Sequence, residues 1–169
     1  MPNAILFYRI ARWLFLHKIP FLPKLIRAFI FIVYNSKIPY NNNIGKGTYL
    51  ICSGIGVALV EGTEIGKNCR IGINVVCAGK GPYKNLPKLG NNIWIGPGSV
   101  ISGPVIIQDN VIIAPNAVVT KSVPEGAIVG GVPAKIIGWV KDLDYDILKN
   151  ESWKEGYMDF LTDNNESNN

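Results

Sequence analysis

The chain has 169 residues, a formal net charge of +5 and 48% apolar residues, enough for one domain with a sizeable core and too little for two. Three cysteines without a CxxC pair, and a single histidine, exclude a disulfide framework and a His/Cys zinc site, so no metal is expected and a reducing, cytoplasmic setting fits. The charge is uneven: no acid precedes Glu61 and acids gather after Val140, so the basic front is expected to meet a surface or partner, and nucleic acid is the weaker choice because the cations stand among bulky apolar residues.

The first forty residues predict two helices, over 3–17 and 22–35, with Pro20 and Pro23 between them and Pro39 beyond. Arg9, Arg12, Lys18, Lys24 and Arg27 interrupt the apolar runs, and none reaches the roughly 18–20 residues that a spanning helix needs. Positive charge lies inside and after the apolar part, and no small-residue cleavage site follows, which is not the order of a secretory signal. Segment 1–40 therefore has two readings. One is a helical cap that packs on the rest of the chain or on a neighbouring subunit. The other is a basic amphipathic anchor, peripheral at the inner face of a membrane. His17 reads as a helix-terminus residue.

From Ile65 the chain repeats every six residues. Compact apolar residues fall at Ile65, Ile71 and Cys77, and resume in phase at Leu89, Ile95, Ile101, Ile107, Ile113 and Val119. The next residue is usually small, as at Gly66, Gly72, Gly90 and Gly96, which predicts a sharp backbone turn there. A second compact residue follows four positions after each aliphatic: Cys69, Val75, Ile93, Ser99, Val105, Val111, Ala117 and Val123. Leu59 and Thr63 extend the series one step back. A period of six fits neither a 3.6-residue helix nor an alternating strand. It predicts a short strand and a corner, three to a coil, stacked into a prism with a continuous core. Residues 79–88, GKGPYKNLPK, read as a loop thrown out from one corner without loss of phase. The domain boundaries expected are 1–40 for the helices, 41–138 for the coil, and 139–169 for a short helix and a loose, polar tail.

These repeats resemble the hexapeptide-repeat acyltransferases, and the resemblance implies an all-β core folded as a left-handed parallel β-helix, with N-terminal helices and a short C-terminal helical or disordered tail. The segment 123–139, VPEGAIVGGVPAKIIGW, is similar to the stretch that closes the coil in the family's CoA-dependent acetyltransferases. The order of segments resembles the serine acetyltransferase branch, including its shorter relatives that O-acetylate sugars. The resemblance implies a homotrimer with acetyl-CoA in the groove between subunits. Ser102, Ala114, Gly130 and Gly131 would hold the pantetheine, and Lys121 or Lys135 would meet phosphate.

The family's catalytic histidines have no counterpart. The Asp-His pair aligns to Cys52-Ser53, a loop histidine to Leu86, and a histidine of some sugar-modifying relatives to the stretch Ile71-Gly72-Ile73-Asn74. Cys52 and Ser53 are thus the catalytic candidates, Cys52 as a thiol whose small buried alternative stays open. Asn74, Tyr83, Lys84 and Asn85 are the candidates for binding the acceptor, the last three from another subunit's loop. Cys69 and Cys77 fall at inward repeat positions and read as core. Three functions follow: acetyl transfer to a hydroxyl or amine of a sugar in surface-polysaccharide biosynthesis, serine O-acetylation, and a non-catalytic trimeric scaffold.

Overall fold

The structure, a computed structural model, describes residues 2–144. Two helices, α1 (Ala4–Leu16) and α2 (Leu22–Tyr34), precede a parallel β-solenoid. Its strands in chain order are β1 (Asn43–Ile44), β2 (Tyr49–Leu50), β3 (Ala58–Leu59), β4 (Glu64–Ile65), β5 (Arg70–Ile71), β6 (Val76–Ala78) and β7 (Lys88–Leu89). They continue as β8 (Trp94–Ile95), β9 (Val100–Ser102), β10 (Ile106–Ile107), β11 (Ile112–Ile113), β12 (Val118–Val119), β13 (Ala127–Gly130) and β14 (Lys135–Trp139). Up to β12 every third strand stacks on the same face, and β13 and β14 then extend one of them, which gives sheets β1-β4-β7-β10, β3-β6-β9-β12 and β2-β5-β8-β11-β13-β14. All pairings between these strands are parallel except β13 with β14.

The repeat positions read from the sequence form the core. Ile71, Ile95, Ile101, Ile107 and Ile113 are fully buried, and so are Cys69, Val75, Ile93, Ser99, Val111 and Ala117. Ser99 is tolerated there because its hydroxyl donates to the Gly96 carbonyl at 2.7 Å. The glycines after the aliphatics have a different reason from the one expected. Gly66, Gly72, Gly90 and Gly96 have no positive φ. They are small because the next coil passes close by: a Cβ on Gly72 would lie 2.6 Å from the Pro97 nitrogen, and one on Gly96 would lie 2.5 Å from that of Pro115. The left-handed corners come two residues later, at Asn68, Asn74, Asn92, Gly98, Asn110 and Asn116. Asn is the residue other than glycine that best tolerates that conformation. Its side chain also reaches the neighbouring coil, as Asn92 does in donating to Asn110 Oδ1 at 3.2 Å.

The helices cap the open end of the first coil. Tyr8 donates its hydroxyl to the Asn42 carbonyl at 2.7 Å and accepts from the Ile44 amide at 3.2 Å. Burial pushes its phenol above the usual value. Arg9 donates to the carbonyls of Ile44 and Gly45, and Arg12 to that of Asn42. Two cations expected to face a partner are thus drawn inward. A solenoid's first coil exposes carbonyls that no preceding strand pairs, and guanidinium forks satisfy them. Asn3 caps α1 by accepting from the Ile5 amide. His17 ends the same helix, its ring Nδ1 2.8 Å from the Trp13 carbonyl.

Pairing begins before residue 41, with a bridge between Lys37 and Ala58. At the other end residues 131–134 reverse the chain, and β14 lies antiparallel on β13 and runs past position 138. A single 3-10 turn, Val140–Asp142, follows. The rest of the expected C-terminal helix and tail lies outside the described residues.

Candidate active site

Strand pairing locates the candidate site by arithmetic. Later strands pair at a spacing of eighteen, as Trp94 with Ile112 and Val100 with Val118. Tyr49 pairs with Arg70 instead, twenty-one positions on. The three additional residues bulge out at the corner between β2 and β3, where Ile51–Gly54 form a 3-10 segment. Cys52 and Ser53 sit there at φ of 49° and 62°. Ser36 holds the bulge from below: its hydroxyl donates to the Gly54 carbonyl at 2.6 Å and accepts from the Val57 amide at 3.0 Å.

A cleft of about 580 Å³ opens beside this bulge. Cys52 and Ser53 form one wall, Tyr49, Arg70 and Trp94 its floor, and Asn3 its rim. Asn3 is tied there by a 2.6 Å bond from its side-chain amide to the Leu50 carbonyl. The floor is one outward column of the six-stranded face, since Tyr49 is in register with Arg70 and Arg70 with Trp94. Arg70 is only 5% exposed, and among the described residues no acidic side chain lines the cleft. The position of Arg70 in the column lies between two aromatic ones. Tyr49, Arg70 and Trp94 were not singled out in the sequence. Their signal is a bulky residue just before the inward aliphatic on successive coils, and the bulge and the 79–88 loop scramble its spacing.

Cys52 is exposed, whereas Cys69 and Cys77 are buried in the prism. Burial pushes the Cys69 thiol up, and that of Cys77 to about 12. Both are therefore protonated core residues at neutral pH, and Cys52 is the one accessible thiol. Asn74 forms a left-handed corner, with its amide donating to the Ile55 carbonyl at 3.1 Å. It does not line the cleft, nor do Tyr83, Lys84 and Asn85 of the same chain, which are exposed on their loop.

A second cleft, of about 420 Å³, lies along the last coil. Lys121 and Lys135 both line it, with Pro133 and Ala134 between. The turn is pinned to β12 by the Val118 amide donating to the Gly131 carbonyl and the Ala134 amide donating to the Val118 carbonyl. A Cβ on Gly130 would lie 3.2 Å from that of Ala114, so those two residues adjoin. Ser102 ends β9 on the small-residue face, half-buried. Two of the residues named for phosphate thus share one cleft, and it is distinct from the cleft beside Cys52.

The family described as bacterial transferase hexapeptide (six repeats) matches residues 87–121. Among curated proteins, the serine acetyltransferase of Helicobacter pylori strain J99 is 33% identical over 137 residues, 80% of this chain and 80% of that protein. The serine acetyltransferase of Synechococcus elongatus is 31% identical over 137 residues, again 80% of this chain but 56% of the relative. Among solved structures, Brucella abortus serine acetyltransferase in complex with coenzyme A superposes with a TM-score of 0.75 at 29% identity, over 80% of this chain and 55% of that one. The chain thus spans little more than half the length of some relatives and most of the length of others. The unbroken sixfold period, the three-faced parallel solenoid and these similarities agree: the chain belongs to the hexapeptide-repeat acyltransferases, in the serine acetyltransferase branch.

Proposed function

We propose that the chain transfers an acetyl group from acetyl-CoA to the hydroxyl of serine or a close analogue. The observation that carries this is the similarity to serine acetyltransferases over 80% of both chains in the Helicobacter case. In this reading the cleft at Lys121 and Lys135 takes the phosphates of CoA, with Ala114, Ser102, Gly130 and Gly131 along the pantetheine. The cleft beside Cys52 takes the acceptor, and Arg70 its carboxylate, the group a guanidinium recognises in a bidentate manner. The acceptor oxygen bonds to the acetyl carbon, the C–S bond breaks, and the hydroxyl proton ends on the CoA sulfur. By the resemblance, the family's Asp-His pair falls on Cys52 and Ser53, so this chain's contribution is to hold the reactants together and exclude water. Cys52 is the one side chain at the bulge able to relay the proton as a thiol.

A homotrimer is part of the same proposal. The outward residues of the three faces differ. One face carries Asn43, Glu64, Lys88 and Ile106, with Lys88 and Glu64 ion-paired at 3.1 Å. Another carries Ala58, Val76, Val100 and Val118, a half-buried strip of small aliphatics. The third carries the Tyr49, Arg70 and Trp94 column. One solvated face and two apolar ones suit a closed ring in which unlike faces meet, and that contact would bring a neighbour's 79–88 loop toward the acceptor cleft. Accessible Cys52 suits a reducing setting, which is where we place the activity: the cytoplasm.

A second reading, acetylation of a sugar hydroxyl in polysaccharide synthesis, is favoured by the size and walls of the cleft. About 580 Å³ is the volume of a site for a larger ligand than serine, and Tyr49 and Trp94 offer faces on which a sugar ring can stack. The deciding experiment measures free thiol released from acetyl-CoA with L-serine and, separately, with nucleotide- and lipid-linked sugars. Serine-dependent release, with Arg70→Lys raising KM more than it lowers kcat, supports the first reading, and release with sugars alone supports the second. No release with any acceptor while CoA binds overturns both and leaves a non-catalytic scaffold. Cys52→Asp with Ser53→His restores the family pair at positions whose left-handed backbone Asp and His tolerate better than most residues, and is expected to raise turnover.

A further inference from the structure

Helix α2 buries a single stripe, Pro23, Ile30 and Tyr34, with Ile26 half-buried beside them. The opposite face carries large apolar residues too, and among the described residues nothing covers them: Leu25 is 65% exposed and Ile32 79%. Apart from Lys24 and Arg27 in its first two turns, the helix is apolar on both sides, which suits an apolar setting on both. The turn before it adds Phe21, 74% exposed and held at φ 66°, and Trp13 of α1 is 55% exposed. Lys18 and Lys24 flank a groove of about 560 Å³ at the hairpin tip, walled by Phe15, Phe21 and Tyr40.

We propose that the α1–α2 hairpin seats this protein on an anionic lipid bilayer, with Phe21, Leu25 and Ile32 in the acyl boundary and Lys18 and Lys24 on lipid phosphates. Three observations select lipid over other occupants. The first sixty residues contain no acid, so a second hairpin packed face to face would set like charges together, whereas anionic headgroups complement them. Cations and large apolar groups are interleaved at the tip, the arrangement of an interfacial helix. Each helix has thirteen residues, about 20 Å of rise, and among the described residues no helix is long and apolar enough to cross a membrane. The hairpin therefore lies on the bilayer. Arg9 and Arg12 take no part, because they are bonded to the first coil's carbonyls.

The test is co-sedimentation of the full chain with vesicles of phosphatidylcholine alone and with phosphatidylglycerol added, at low and high salt. Binding is expected to the anionic vesicles, to weaken with salt, and to fall by about tenfold or more in Lys18→Glu/Lys24→Glu, since each cation near the surface carries a measurable share. Leu25→Ser/Ile32→Ser, at exposed positions, is expected to weaken binding while circular dichroism and thermal unfolding stay as in wild type. Equal binding to both vesicle types, no binding, or binding unchanged by charge reversal overturns the proposal. So does wild type that ignores vesicles but loses an oligomeric state on Leu25→Ser/Ile32→Ser, because a second copy then covers this face.

Discussion

At the scale of the residue, the corners and the thiols carry the information. Asn116 holds φ 57° at an exposed corner. Asn116→Ala is expected to cost about 1–2 kcal/mol, the penalty of a left-handed Cβ. Asn116→Gly should leave the unfolding free energy from urea titration within about a few tenths of a kcal/mol of wild type, because glycine has no such penalty. The cysteines separate by burial. A thiol reagent is expected to modify Cys52 alone in the folded protein, and all three in denaturant. Cys77 also makes stability depend on pH. Its folded pKa stands at about 12 against an ordinary 9.0. The raised value means its contribution is complete below pH 9.0 and is lost as pH rises toward 12. Denaturant titrations across that window should show a shallower decline in Cys77→Val than in wild type. A residual slope should remain, because burial also raises Tyr8 and Cys69.

At the scale of the element, each coil is held by its neighbours, and the first coil has a neighbour on one side only. Helix α1 supplies the missing side with Tyr8, Arg9 and Arg12. Arg9→Met with Arg12→Met keeps the apolar stems and removes the donors. The Ile44 carbonyl would then lose its donor, at about 1–3 kcal/mol for a buried group left unpaired, while the Asn42 carbonyl keeps the Tyr8 hydroxyl and that of Gly45 the Thr48 amide. Thermal unfolding is expected to shift downward, with hydrogen exchange rising first in β1. Within the stack, Gly96→Ala drives a methyl against the Pro115 backbone, which cannot rotate away, and about 1–3 kcal/mol of overpacking follows. A loss in Gly96→Ala no larger than in a surface Ala substitution would contradict the close approach of the coils.

At the scale of the whole molecule, the unlike faces of the prism set the assembly proposed here. Val100→Glu puts a carboxylate in the middle of the small aliphatic strip, whereas Ile106→Glu puts one on the face that already carries Glu64 and Lys88. Sedimentation velocity should find Val100→Glu reduced to monomer and Ile106→Glu assembled like wild type. If both variants keep the same sedimentation coefficient, the aliphatic strip is not the contact.

The sequence alone determined the solenoid. A six-residue period with two compact residues per unit has only one economical way to bury them, and Ile71 to Val119 lie inside as the period required. Beside the family it resembles, the sequence also lacks histidines at Ser53, at Leu86 and in the stretch Ile71-Gly72-Ile73-Asn74, and this was legible because residue type is read directly from the sequence. The reason for Gly66, Gly72, Gly90 and Gly96 was not legible there. A small residue answers both a strained φ and a close neighbour, and only the distance to the next coil separates the two. Nor was the cleft beside Cys52. Tyr49, Arg70 and Trp94 come from three coils whose spacing is broken by a bulge and a loop, so their column exists only once the strands are stacked. The inward turn of Arg9 and Arg12 is likewise a tertiary decision: an arginine among apolar residues reads as a surface charge until an unpaired carbonyl edge lies within its reach.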